Sequence, residues 1–163
     1  MGTEFTASFH LPTEDATSAF GACLAPLLKP GDVVLLSGQI GAGKTHLARA
    51  IIQSRLAAQG LNEDVPSPTY TLVQTYSDGL AEIWHADLYR LSDTSELTEL
   101  GLDDAYATGI VLIEWPDRLG EEAPEGALSV DLAPENGARR VALSSGSGRW
   151  QSLLPCVESA ANE

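Results

Sequence analysis

"LLSGQIGAGKTHLARAII", residues 35–52, decides the fold. The run Val33–Leu36 is apolar without alternation, which is how a strand covered on both faces of a parallel sheet reads. After the glycines, Leu47, Ala48, Ile51, Ile52, Leu56 and Ala57 recur at helical spacing, and the pattern closes near Gly60. Between the two, Gly38-Gln-Ile-Gly41-Ala-Gly43-Lys44-Thr45 satisfies Gly-x4-Gly-Lys-Ser/Thr in the strand, loop, helix order that this pattern requires.

Each residue type there has a physical reason. Glycines let the backbone turn its N–H groups inward around an oxyanion, and the helix that follows points its positive dipole end at the same anion. Gly41, Ala42, Gly43, Lys44 and Thr45 are therefore expected to form a phosphate cradle, with Lys44 a mobile charge for the β- and γ-phosphates and the Thr45 hydroxyl placed to ligate Mg²⁺. A magnesium ion needs further oxygen ligands, and the end of a neighbouring apolar strand is where such folds carry an acid. Glu114, directly after "GIVLI", is the expected second metal-linked residue, and Asp87, at the end of another predicted strand, competes with it for the task of orienting water.

Working outward, Phe5, Ala7, Phe9 and Leu11 alternate as in a half-buried strand, and Thr13 offers a cap to a helix whose apolar stripe runs from Ala16 to Leu28. Tyr70–Tyr76 and Leu80–Ala86 read as a hairpin about Ser77-Asp78-Gly79. Residues 85–104 read as helical or irregular, with caps at Asp93 and Asp103. Ile110–Ile113 is a second fully apolar strand, stopped by Glu114-Trp115-Pro116. Leu128–Leu132 and Val141–Leu143, separated by Pro-Glu-Asn-Gly, form a closing hairpin, and 144–148 reads as a linker. The expected architecture is α/β: a P-loop NTPase-like, mostly parallel sheet flanked by helices, with antiparallel hairpins at its edge. One domain is expected over 1–147, and 148–163 as a short, partly frayed C-terminal segment.

Composition narrows the function. A chain of 163 residues with 44% hydrophobic content can bury a core, and a formal net charge of -14 disfavours charge-driven nucleic-acid binding. Lys29 and Lys44 are the only lysines. No apolar run approaches the roughly 20 residues that span a bilayer, so no membrane association and a cytoplasmic location are expected. Cys23 and Cys156 lie far apart with no metal-type spacing, and read as two separate thiols rather than as a zinc site or a disulfide.

Four further blocks accompany the loop in order: "VPSPTYTLV" (65–73), "HADLYRL" (85–91), "GL" (101–102) and "LIEWPD" (112–117). Together with "GQIGAGKT" (38–45) they resemble the TsaE (YjeE) family of small P-loop ATPases of tRNA threonylcarbamoyladenosine synthesis, over roughly Leu11 to Leu143. The resemblance implies ATP in the loop, Mg²⁺ on Thr45 and Glu114, Asp87 near the γ-phosphate, Thr69 in a switch-like loop, and Trp115 beside the acid. It also implies that Thr13, Asp117 and Arg139 line the nucleotide. From the residues alone, these three read equally as a helix cap, a solvated acid and a hairpin surface charge. It further implies a Mg-dependent ATPase that couples energy to tRNA modification with a TsaB–TsaD pair. No arginine is clearly placed as a finger, so slow hydrolysis without partners is expected, the acidic charge leaves tRNA mainly to those partners, and the chain alone is expected to be monomeric.

The chain departs from the family pattern at Gln39, where an acid is commoner, at His46, where a second Thr is usual, and at "EEAPEG" (121–126). His46 is expected to pack or face a partner rather than act as a base. Two other P-loop functions fit less well. A small-molecule kinase needs arginines clamping two phosphoryl groups under a lid, whereas the seven arginines here are scattered. A guanine-reading switch needs an Asn/Thr-Lys-x-Asp motif, and neither lysine supplies one.

Overall fold

The computed structural model describes residues 4–68, 72–89, 91 and 95–161. Strands run over β1 (Phe5–Leu11), β2 (Val33–Ser37), β3 (Val73–Ser77), β4 (Glu82–Asp87), β5 (Ile110–Glu114), β6 (Leu128–Glu135) and β7 (Ala138–Ser145). Helices are α1 (Glu14–Leu24), α2 (Lys44–Ala58), α3 (Ser95–Leu100), α4 (Leu102–Thr108) and α5 (Leu154–Ala161), with 3₁₀ turns at Ala25–Leu27, Pro116–Glu122 and Gly148–Leu153. Among the described residues the strands form one sheet, in the order β1-β7-β6-β2-β5-β4-β3.

The expected α/β class is the observed one, and the reason lies in burial. Strands β2 and β5 pair in parallel at the centre, with β6 beside β2 and β4 beside β5, also in parallel. Covered on both faces, β5 is buried along its whole length and β2 from Val33 to Leu36, so an unbroken apolar run suits each. The flanks are antiparallel: β3 on β4, β7 on β6 and β1 on β7. There the alternation returns, with Leu128, Val130 and Leu132 inward and Asp131 and Ala133 exposed.

One face of the sheet joins α1, α2 and α5 around Phe9, Phe20, Leu36, Leu47, Ile51 and Trp150. Each such side chain contributes roughly 1.5–3 kcal/mol by leaving water. On the other face Val33, Leu35, Val111 and Ile113 pack with Leu102, Ala105 and Leu119 under α4 and the Pro116–Glu122 turn.

Several local expectations change. The cap of α4 is Gly101, at φ 81°, not Asp103, which stands in the first turn where its charge suits the helix dipole. Asp93 lies outside the described residues. Only Asn136-Gly137 makes the last hairpin's turn, at φ 52° and 81°, and Pro134 and Glu135 extend β6. Residues 144–148 are no linker. Ser144 and Ser145 end β7, and the Ser147 hydroxyl accepts from Arg149 N at 3.3 Å, capping the turn that follows.

The tail expected to fray packs instead, as far as it is described. Trp150 and Leu153 are fully buried, and the Trp150 indole donates to Gly126 O at 2.9 Å. Placed on β1 and α1, α5 brings Cys156 to Cys23, and the two expected free thiols form a disulfide with Cα atoms 5.8 Å apart. Spacing along the chain could not show this, because the two cysteines meet only through the return of the C-terminus across the helical layer.

A buried ion pair ties the β3–β4 hairpin to the same layer. Arg55 donates from Nε to Asp78 Oδ2 at 3.0 Å, and from Nη1 to the carbonyls of Ala25 and Leu28 at 2.8 and 3.1 Å. Burial alone would raise the Asp78 carboxyl. The Ala81 and Leu80 N–H groups and the Arg55 guanidinium outweigh it and hold the carboxyl below the usual carboxylate range.

Candidate functional site

The loop between β2 and α2 can take its shape only with glycine at two positions. At Gly38, φ is 139° and a Cβ would stand 2.3 Å from Leu132 O. At Gly43, φ is 104° and a Cβ would stand 2.7 Å from Arg139 Nε. Gly43 is also the N-cap of α2, and no side chain caps that helix. The N–H groups of its first turn are thus available to an anion, at the positive end of a helix of 15 residues.

Lys44 begins α2 and folds back across the loop. Its Nζ donates to Gly38 O at 2.6 Å and Gln39 O at 2.9 Å, and lies 4.1 Å from the centre of a Trp115 ring. Burial pushes the Lys44 ammonium below its ordinary range, against the pull of Glu114 and Asp87. A charge so held exchanges its carbonyl partners readily for a more negative one.

The acids come from the sheet. Asp87 and Glu114 are register partners on the parallel strands β4 and β5, at the ends facing the loop, and both are buried. Thr45 Oγ1 donates to Glu114 Oε1 at 2.7 Å, while Glu114 Oε2 lies 2.7 Å from His85 Nε2. Asp87 Oδ1 accepts from Tyr89 N at 3.0 Å. Immediately after Glu114 the chain turns through Trp115 in the left-handed region, φ 60° and ψ 53°, an uncommon conformation for a bulky residue. That turn brings the indole over Lys44 and to 4.8 Å from the Tyr89 ring.

These groups share an open cavity of about 390 Å³, lined by Gly41, Gly43, Lys44, Thr45, Asp87 and Glu114 among others. Ala42 is fully buried and backs the loop against the core. Thr13 and Arg139 line a second cavity of about 360 Å³, which Gly41 joins to the first. There Thr13 Oγ1 caps α1 by accepting from Ala16 N at 3.0 Å, and Arg139 Nη1 donates to Thr17 Oγ1 at 2.9 Å. Asp117 is exposed on the Pro116–Glu122 turn and lines neither cavity. Thr69 lies outside the described residues. His46 bonds Ser18 on α1, Nε2 to Oγ at 2.8 Å, so it packs at the α1–α2 contact while lining the first cavity.

The donor set suits a hard cation. The Thr45 hydroxyl gives its hydrogen to Glu114 and keeps its lone pairs for a ligand, and both nearby acids supply oxygen. Among the described residues no group of three or more His, Cys, Asp or Glu could enclose a metal. One residue of the site, His85, is given no role by the sequence although it opens the block "HADLYRL"; its further signal is a ring at an inward position of the otherwise apolar stretch of β4.

Comparison with known proteins gives the family and the fold. The family described as threonylcarbamoyl adenosine biosynthesis protein TsaE matches residues 11–142. A tRNA threonylcarbamoyladenosine biosynthesis protein TsaE from Rickettsia bellii is 39% identical over 122 residues, 75% of this chain and 83% of that protein. The protein of the same name from Haemophilus influenzae is 37% identical over 140 residues, covering 82% and 86%, and that from Bacillus subtilis is 36% identical over 117 residues, covering 71% and 70%. The crystal structure of Bacillus YdiB shares the fold, with a TM-score of 0.76 over 98% of each chain at 24% identity. No helix among the described residues is long and apolar enough to cross a membrane.

Proposed function

The chain belongs to the TsaE family, and on that premise we propose that it is a magnesium-dependent ATPase, the energy-coupling subunit of tRNA threonylcarbamoyladenosine formation, working with a TsaB–TsaD pair. One observation carries the ATPase reading: Lys44, Thr45, Asp87 and Glu114 converge from a glycine loop and two strand ends on one cavity.

Each group has a task that its contacts support. Loop N–H groups and the α2 dipole hold the β- and γ-phosphate oxygens, and Lys44 leaves the Gly38 and Gln39 carbonyls to join them. A bound magnesium ion supplies charge neutralisation on the same oxygens. Thr45 faces that ion through its lone pairs, and Glu114 keeps the threonine hydroxyl turned by accepting its hydrogen. Asp87, the register partner of Glu114 and a lining residue of the same cavity, orients the attacking water. The water oxygen then bonds to the γ-phosphorus as the bridging bond to the β-phosphate breaks, the water's proton passes by way of the phosphate oxygens to solvent, and ADP and phosphate leave.

Among the described residues no arginine lines the cavity of Lys44, and Arg139 sits in the adjoining one. Slow hydrolysis by the monomer alone follows from this, with a partner completing the site. The net charge of -14 likewise leaves contact with tRNA mainly to the partners.

The test is phosphate release from ATP, with and without the two partner proteins, alongside Lys44→Ala. Hydrolysis indifferent to both partners and Lys44 refutes the proposal. Glu114→Ala is expected to bind nucleotide yet fail to turn over; full turnover would remove Glu114 from the metal.

A further inference from the structure

The His85 ring is fully buried within the sheet and its helical cover. Its register neighbours are Leu112 on β5 and Gln74 on β3, and Ile83 precedes it on the same face of β4. Among the described residues the ring's polar contact is Nε2 to Glu114 Oε2 at 2.7 Å, and Nδ1 has no hydrogen-bond partner there. A carboxylate oxygen accepts, so Nε2 carries hydrogen and donates. A leucine would fill such a place without leaving a polar atom orphaned, and packing therefore does not explain the ring.

The contact sits at the head of a chain. His85 fixes Glu114 Oε2, Glu114 Oε1 accepts the Thr45 hydroxyl hydrogen, and Thr45 thereby presents its lone pairs to the cavity. With one oxygen anchored below, the carboxyl group cannot rotate about its terminal bond without losing a buried hydrogen bond. We infer that His85 is a positioning residue for the divalent cation of the nucleotide, acting through Glu114 and Thr45. The inference rests on the magnesium–ATP reading above and adds to it the element that fixes the angle of the metal-linked acid. Partners of this kind, which touch a ligand group rather than the metal, typically change metal affinity or activity by about 10–100-fold when removed.

Two substitutions separate positioning from packing. His85→Leu fills the space without a donor, and His85→Gln keeps an N–H at similar reach. Mn²⁺ affinity of the protein–ADP complex is measured by electron paramagnetic resonance of the free ion, together with ADP affinity in chelator, kcat and KM for ATP, and the melting point of the nucleotide-free chain. In His85→Leu we expect Mn²⁺ affinity and kcat to fall by about 10–100-fold, with ADP affinity in chelator and KM for ATP held, and in His85→Gln recovery to within about threefold of the native chain. If His85→Leu does not fold, His85→Met takes its place. Native Mn²⁺ affinity in the apolar variant overturns the inference, as does a His85→Gln chain as impaired as His85→Leu. Lys44→Ala is run in parallel. If it binds and hydrolyses ATP like the native chain, the ATPase reading fails; if it is impaired while the His85 variants are not, only this inference fails.

Discussion

Opening the Cys23–Cys156 bond is expected to lower stability sharply while leaving the phosphate site intact. The crosslink spans a sequence separation of 133 residues, and on the chain-entropy account closing a loop of that size removes about 5 kcal/mol of freedom from the unfolded chain. In the folded chain little changes on reduction, because Trp150, Leu153 and Ala160 hold the C-terminal segment in the core without it. For a chain of this length 1 kcal/mol moves the midpoint by about 2–4 °C, so the oxidised form should melt about 10–20 °C higher. Cys23→Ser is the appropriate variant, since Cys23 is exposed whereas a hydroxyl at the buried Cys156 would add a desolvation cost. The assay is thermal and urea unfolding with and without reductant. Reductant should move the native chain onto the Cys23→Ser curve and leave that variant unmoved, with a larger urea slope once the unfolded chain can expand. A native midpoint that reductant shifts by less than about 3 °C would refute the reasoning.

Three other outcomes follow from contacts at the site and beside it. Asp78→Asn should destabilise the chain by about 3 kcal/mol at neutral pH, by leaving the largely covered Arg55 guanidinium short of its counter-charge. The Asp78 carboxyl is held low in the folded chain, so its contribution is whole above the unfolded value near 4 and fades as pH falls through the folded one; melting points of the two chains should converge in acid. Gly38→Ala, with its Cβ driven toward Leu132 O, should lose about 2–3 kcal/mol and abolish nucleotide binding, as calorimetry with ADP will show. Magnesium and ADP should change tryptophan fluorescence, and Trp115→Phe should remove the change, because Trp115 covers Lys44 while Trp150 is sealed in the core and Trp84 lies against Gly101 and Gly109, outside the cavity lining.

How much was legible in the sequence depended on the range of each interaction. Val33–Leu36, the glycine loop and the helix after it carry their own reasons, and the structure follows them nearly to the residue. Asn136-Gly137 likewise announces its turn. The pairing of Asp87 with Glu114 was not legible: two strand ends could be marked, but only the parallel adjacency of β4 and β5 puts them in register. The same adjacency hides His85, which within its own strand is simply an inward residue. The Cys23–Cys156 pairing needed the path of residues 144–161, whose first small polar residues imitate a linker although they end a strand and cap a turn.

Asp87 and Glu114, side by side on neighbouring strands, give the folded chain a built-in handicap. Carboxylates buried in register repel where both are ionised, and on the proposed function Lys44, the nearby cation that both act on, turns from the loop carbonyls to phosphate. Stability and turnover therefore pull against each other at this point of the sheet. A chain chosen only to resist heat would carry an amide at one of the two positions, and Asp87→Asn should melt higher than the native protein while hydrolysing nothing. On the proposed function a bound magnesium ion would offset that charge, so magnesium with nucleotide should raise the melting point, which then doubles as a gauge of occupancy.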